Sequence, residues 1–267
     1  MADTNRYGKI IERIFLANYK DGAEEVTFKR EDIAKVATEL KIELPKNIGD
    51  IIYTFRYRND LPKAVMARAP KHKSWIIRPA GRGLYKFVAT TLTSIIPNKL
   101  MAQTKVPDAT PGIIEMYALT DEQALLAKLR YNKLIDIFTG VTCYPLQSHL
   151  RTSVPGMGQV ETDELYVGMN RHGAHFVLPV QAKGGNDKLS VVQIEQDVGL
   201  CAAKFPTLIC RPIAAQFVEE GLIALFEFEE GPQGVRLLTE SHYKLVLPEE
   251  LSPEELRSYR DRGATPP

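Results

Sequence analysis

Gly158-Gln-Val-Glu-Thr-Asp-Glu-Leu-Tyr-Val-Gly168, then Asn170-Arg-His-Gly173, then His175-Phe-Val-Leu-Pro-Val-Gln-Ala-Lys183 stand almost end to end. The first run carries its acids packed at one end and reads as a strand, and the second run is a turn. The third run is mostly apolar until Gln181 and Lys183 and stops at Gly184-Gly185, so it reads as a second strand. On an extended chain, residues two apart share a face. Glu161 and Asp163 therefore point one way together, as do Gln181 and Lys183. An in-register hairpin gathers these four side chains into one patch.

Working outward, residues 189–203 read as a helix with Val191, Val192, Ile194, Val198 and Leu200 available for packing. Gln193, Gln196 and Asp197 on it are equally an exposed face or groups beside the patch. Upstream, one long helix is expected from Asp121 to Phe138 through Leu125, Leu126, Leu129, Leu134 and Ile135. Thr120 would cap it and Gly140 would stop it. Residues 148–158, with Ser148, Ser153, Pro155, Gly156 and Gly158, read as a loop. Later strands are expected near 207–217, 221–229 and 234–247, with Glu227, Glu229 and Glu230 facing solvent. After Leu247 come a short surface helix and a disordered end. Residues 115–267 thus read as an α/β unit with a mixed central sheet flanked by helices.

The first third has another character. Residues 1–100 carry 19 Lys+Arg against 11 Asp+Glu, a net of +8, and the remainder carries 15 against 22, a net of −7. Within 53–88, nine basic residues face one acid, Asp60. Opposite signs on two parts of a chain suggest two modules, one attracted to a polyanion. The pattern is helix (5–19, with Ile10, Ile11, Ile14 and Phe15), short strand (25–28), helix (30–40), helix (from Asn47) and a strand pair at 74–78 and 84–88. This order resembles a winged helix-turn-helix module over 1–90, with 47–59 as recognition helix and 71–88 as wing. The resemblance puts Arg56, Arg58, Lys71, Lys73, Arg78, Arg82 and Lys86 on the elements that face DNA, where phosphate contacts come from one contiguous surface. The alternative is the same module used for protein contacts. Residues 91–114, with Pro97, Pro107 and Pro111, read as a linker.

Carboxylates beside a lysine suit phosphodiester hydrolysis. Carboxylates hold Mg²⁺, which takes hard oxygen ligands and keeps waters. A lysine orients or deprotonates the attacking water and offsets phosphate charge. Glu161-x-Asp163, an apolar strand, a turn and Val180-Gln181-Ala182-Lys183 resemble the PD-(D/E)XK nuclease superfamily, most closely its restriction-endonuclease branch. With the flanking helices and later strands, the likeness spans most of 115–247. It implies Asp163 as metal-binding acid, Gln181 where the family has Asp or Glu, Lys183 as the motif lysine and Glu161 as an additional acid. Two departures stand out: Thr162 replaces the proline, and Gln181 is a neutral amide. Glu161 or Glu164 would supply the missing charge, although Glu164 points to the opposite face. The literal Pro107-Asp108 pair is a decoy in the linker. Without the likeness, the same residues make a solvent-facing hairpin whose ion pairs are worth about 0–1 kcal/mol.

Composition narrows the remaining choices. No apolar run approaches a membrane span, the N-terminus has no signal core, and three cysteines make neither a disulfide framework nor a zinc site. His172 and His175 flank a turn and read as surface residues. Cys201 and Cys210 read as buried small hydrophobes. The expectation is a cytoplasmic, non-membrane, Mg²⁺-dependent endonuclease cutting double-stranded DNA. The family likeness implies a bacterial or archaeal type II restriction enzyme, acting as a homodimer, with a companion DNA methyltransferase in the same host. A non-catalytic DNA-binding regulator and a structure-selective repair or recombination nuclease are the competing readings.

Overall fold

The computed structural model describes residues 3–91, 94–184, 189–231 and 234–263. In chain order the elements are α1 (Asp3–Asn18), β1 (Glu25–Lys29), α2 (Arg30–Glu39), α3 (Gly49–Tyr57), α4 (Lys63–Met66), β2 (Ser74–Gly81) and β3 (Leu84–Thr90). There follow β4 (Ser94–Ile95), β5 (Gln103–Pro107), α5 (Gly112–Tyr117), α6 (Asp121–Tyr131), α7 (Leu134–Thr139), β6 (Thr142–Val154), β7 (Gly158–Met169) and β8 (His175–Lys183). The chain continues through β9 (Leu189–Ser190), α8 (Val191–Lys204), β10 (Ile209–Cys210), β11 (Ile213–Glu219), β12 (Leu222–Gly231), β13 (Gly234–Val246) and α9 (Pro253–Gly263). Among the described residues, no helix is long and apolar enough to cross a membrane.

The N-terminal unit is an antiparallel three-stranded sheet, order β1-β3-β2, under helices α1 to α4. Ile10, Ile11, Ile14 and Phe15 recur at helical spacing on α1 and are all buried, meeting Phe28, Ile33, Ile51, Phe55, Trp75 and Phe87. Phe15 stands edge-on to both Trp75 and Phe87, with centroids 5.1 Å apart in each pair.

The second unit is a mixed α/β layer structure. Its sheet runs β5-β13-β12-β11-β8-β7-β6, with β10 pairing parallel to β8. Strands β8 and β11 are parallel to each other, as are β5 and β13, and the other neighbours on that path are antiparallel. Helices α6 and α7 pack on one face through Leu125, Leu129, Leu134 and Ile135, and α8 packs on the other through Ile194 and Leu200. Each such side chain, fully buried, contributes about 1.5–3 kcal/mol.

Several sequence expectations need revision. The single helix expected over 121–138 is two, because Lys133 is left-handed (φ 53) and Asn132 turns inward. The Asn132 amide donates to Asp108 and Thr110, and its carbonyl accepts from the Ala109 N–H, so the break ties 108–110 to the helix pair. Residues 148–154, read as loop, belong to the edge strand β6, which pairs with β7 from Thr142↔Met169 to Val154↔Gly158. Its outward side chains are polar because an edge strand faces solvent, and polarity there resembles a loop. Glu227 does not face solvent: it is buried and ion-paired with Arg211. Residues 103–107, inside the span read as linker, add strand β5 to the edge of the sheet beside β13.

The two units share a core. Ile76 and Val88, on β2 and β3, pack with Val191, Val192 and Ile194 of α8 and with Phe226 and Phe228 of β12. Arg78 makes a two-pronged bond to Glu195, the Tyr57 hydroxyl donates to Gln196 at 2.8 Å, and β4 pairs with β9.

Candidate active site

Strands β7 and β8 pair from Met169↔His175 to Glu164↔Val180, and there the ladder stops. Strand β8 continues along β11, with Gln181 opposite Ala214 and Lys183 opposite Gln216, while β7 stays with β6. Backbone groups freed inside a protein need partners, and side chains supply them. Asp163 Oδ2 accepts from the Ala182 N–H at 2.8 Å, Gln181 Nε2 donates to the Glu161 carbonyl at 3.1 Å, and Thr162 donates to the Val180 carbonyl at 3.4 Å. The parting of the strands opens a notch lined by Asp163, Gln181 and Lys183.

Lys183 Nζ lies 2.6 Å from Glu122 Oε1 and 3.9 Å from Asp163 Oδ2. Glu122 sits in the first turn of α6, held there by the Thr120 cap. Burial pushes the Asp163 carboxyl above the usual carboxylate range. Lys183 and the Ala182 N–H offset this in part, and Glu122 adds to it. The surroundings of Asp163 thus only partly compensate a charge on its carboxyl.

Gln181 is committed at both ends. Its amide lies 3.1 and 3.0 Å from the two oxygens of Asp197, and its carbonyl accepts from Gln193 at 3.2 Å. Asp197, on α8, is 1% exposed, and burial raises its carboxyl well above the ordinary value, with Gln181 and Thr162 opposing the shift. The exposed-face alternative for Gln196 and Asp197 fails, since both are buried. Glu161 is exposed and bonded by Arg151 at 2.7 Å, and both line the cleft over the notch. Glu164 does face the opposite side of the sheet, where it bonds Arg130 and the Tyr166 hydroxyl, the latter at 2.5 Å. Burial pushes the Tyr166 phenol up to about 12.

A cleft of about 1190 Å³ stands over the notch. It is lined by Asp163, Lys183, Glu122 and Gln181 from around the notch, by Glu161 and Arg151, and by Asn47, Tyr53, Arg56 and Arg58 from α3 and its flanks. Arg58 lies over the Tyr53 ring at 5.2 Å and Arg56 over Tyr57 at 4.8 Å. The other basic residues picked out in sequence are dispersed. Arg78 is spent on Glu195 between the units, Lys73 pairs with Glu24 at 2.6 Å, and Lys86 pairs with Glu25 at 2.7 Å. Lys71 and Arg82 are exposed. The strand pair has one face buried against α8, which is why its basic residues do not form one surface.

Glu122 was not legible as a site residue. An acid in the first turn of a helix is ordinary, and nothing in its spacing points 61 positions ahead to Lys183. Among the described residues, no group of three or more His, Cys, Asp or Glu side chains is gathered in metal-holding geometry. Gly184 lies in the cleft, and Gly185 falls outside the described residues. Comparison with protein-family models, with curated proteins and with solved structures gives no match.

Proposed function

We propose that this chain is a Mg²⁺-dependent endonuclease that hydrolyses phosphodiester bonds of double-stranded DNA, in the manner of the PD-(D/E)XK restriction endonucleases. The observation that carries the reading is the notch itself: Asp163 and Lys183 meet at parted strand ends, in a cleft that basic and aromatic side chains of α3 also line. We read the N-terminal unit as a winged-helix module on its helix order and its β1-β3-β2 sheet. Homodimeric action and a companion methyltransferase belong to the same reading, on the likeness in residues 161–183 alone.

Mg²⁺ is typically held by one or two carboxylates, retained waters and substrate phosphate oxygens. Asp163 and Glu122 fit that donor set, being the carboxylates that flank Lys183 at the cleft. Gln181 fits it poorly, being a neutral amide that Asp197 and Gln193 already engage. Glu161, which also lines the cleft, is paired with Arg151 and, among the described residues, makes no ion pair with Lys183. We therefore assign the ligand role to Asp163 and Glu122. Bound metal would supply Lewis acidity toward a phosphoryl oxygen and acidify water. Lys183 exchanges its bond to Glu122 for one to the phosphate or the attacking water, and its charge offsets what develops on phosphorus oxygens. Gln181, gripped by Asp197, holds the strand ends apart.

A regulator without catalysis is the second reading. It is favoured by the Lys183–Glu122 bond and the Gln181–Asp197 bond, which leave the notch partly self-satisfied. Digestion of unmodified plasmid and phage DNA with and without Mg²⁺ separates the two. The endonuclease gives discrete Mg²⁺-dependent fragments, reduced about 10²–10⁴-fold or more in Asp163→Ala and Lys183→Ala. Intact DNA that still shifts on a gel without Mg²⁺ identifies a regulator, and heterogeneous cleavage at branched or damaged DNA identifies a structure-selective nuclease.

A further inference from the structure

Arg56 carries two buried donors, Nε and Nη2, that no hydrogen bond satisfies. Among the described residues no carboxylate is ion-paired with it. Glu195, whose charge it reaches, has both oxygens bonded by Arg78. The backbone beneath it is pinned, since the Ser190 hydroxyl at the cap of α8 donates to the Arg56 carbonyl at 3.1 Å and the next residue, Tyr57, bonds Gln196. A guanidinium stays charged at any working pH and carries five N–H donors in a rigid fork. Dry, unpaired donors on a cation are costly to the fold. Turning these two donors toward the cleft that the side chain lines breaks no hydrogen bond of theirs, at the cost of its stacking on Tyr57.

The surroundings define the anion. Arg56 and Arg58 each lie over a tyrosine ring, Tyr57 and Tyr53, and Tyr53 is 50% exposed. A wall that alternates guanidinium and aromatic faces is complementary to a linear phosphate backbone with bases beside it. Asp163 and Lys183 line the same cleft.

We propose that Arg56 clamps a backbone phosphate of the strand being cut, beside the scissile one, so that the N-terminal unit helps to place the bond that breaks. The proposal rests on the nuclease reading and goes beyond it. Arg56 then acts at the cleavage point, and the cut falls inside the segment that the N-terminal unit covers.

The test uses the full chain and a short duplex carrying the mapped cut site, with single phosphates replaced one at a time by neutral methylphosphonates. Wild type should lose roughly tenfold or more in cleavage when one phosphate next to the scissile bond is neutralised. Arg56→Ala should show that loss already and be insensitive to the same replacement. Its slope of log affinity against log salt should be shallower by about 0.9, and Arg56→Lys should restore the slope and part of the rate. Multiplicative losses from the two changes, or an Arg56→Ala protein that cuts like wild type, overturn the clamp while leaving the nuclease intact. A wild type that cuts no DNA removes both readings.

Discussion

Asp163 and Glu164 are adjacent acids on β7, both largely buried, and they face opposite sides of one sheet. Glu164 has dedicated partners: the Arg130 guanidinium, the Tyr166 hydroxyl and Ser148. Asp163 has one backbone N–H, a lysine at 3.9 Å shared with Glu122, and an open cleft beyond. A buried acid whose lone pairs are fully used holds the fold together. One whose lone pairs are left over, at the mouth of a cleft with a raised pKa, is poised to bind something. The same strand thus carries a structural acid and a functional one, and neighbours rather than residue type decide which is which.

Four substitutions sharpen or break this contrast. The largest effect on stability is expected from Arg130→Ala, which strands a carboxylate that is 1% exposed; a loss of about 3–5 kcal/mol in denaturant unfolding is expected. Asp163→Ala should cost less, about 1–3 kcal/mol, since it strands the Ala182 N–H but also removes a carboxylate whose charge burial disfavours. If Asp163→Ala proves the more destabilising of the two, the assignment of roles is reversed.

Asp197 tests the idea from the helix side, and the sign follows from its raised pKa. Folded Asp197 keeps a proton that the unfolded chain releases near 3.8, so its favourable contribution is complete below that pH and is lost as pH rises through the folded value. Asp197→Asn should therefore be more stable than wild type at neutral pH, by about 1–3 kcal/mol, with the advantage vanishing in acid. Thermal melts across the pH range measure this. An advantage that grows toward low pH would show that Asp197 is ionised in the fold and that its surroundings favour the charge.

The smallest effect belongs to Tyr57→Phe, which deletes the hydroxyl bonded to Gln196 while preserving the ring under Arg56. A loss of about 0.5–1.5 kcal/mol is expected in unfolding. Larger losses would mean that the two units hold together chiefly through this bond rather than through the apolar contacts of Ile76 and Val88 with α8.

Local pattern was enough for the hairpin of β7 and β8, the inward faces of α1, α2 and α3, the helix after the glycines and the opposed directions of Asp163 and Glu164. Each follows from a period of about 3.6 or 2 within one short segment, where neighbours in sequence are neighbours in space. The edge strand β6 and the break at Lys133 lay beyond that reach. A polar edge looks like a loop until its partner is known, and Asn132 turns inward for Asp108 and Thr110, more than 20 positions away. The site divides in the same way. Asp163, Gln181 and Lys183 could be picked out from the chain. The bond from Lys183 to Glu122, the grip of Asp197 on Gln181 and the placing of Arg56 in the cleft come from packing of α6, α8 and α3 around the parted strands. Contacts spanning 16, 61 and 139 positions are set by which apolar faces bury against each other, and no period within a single segment encodes that choice.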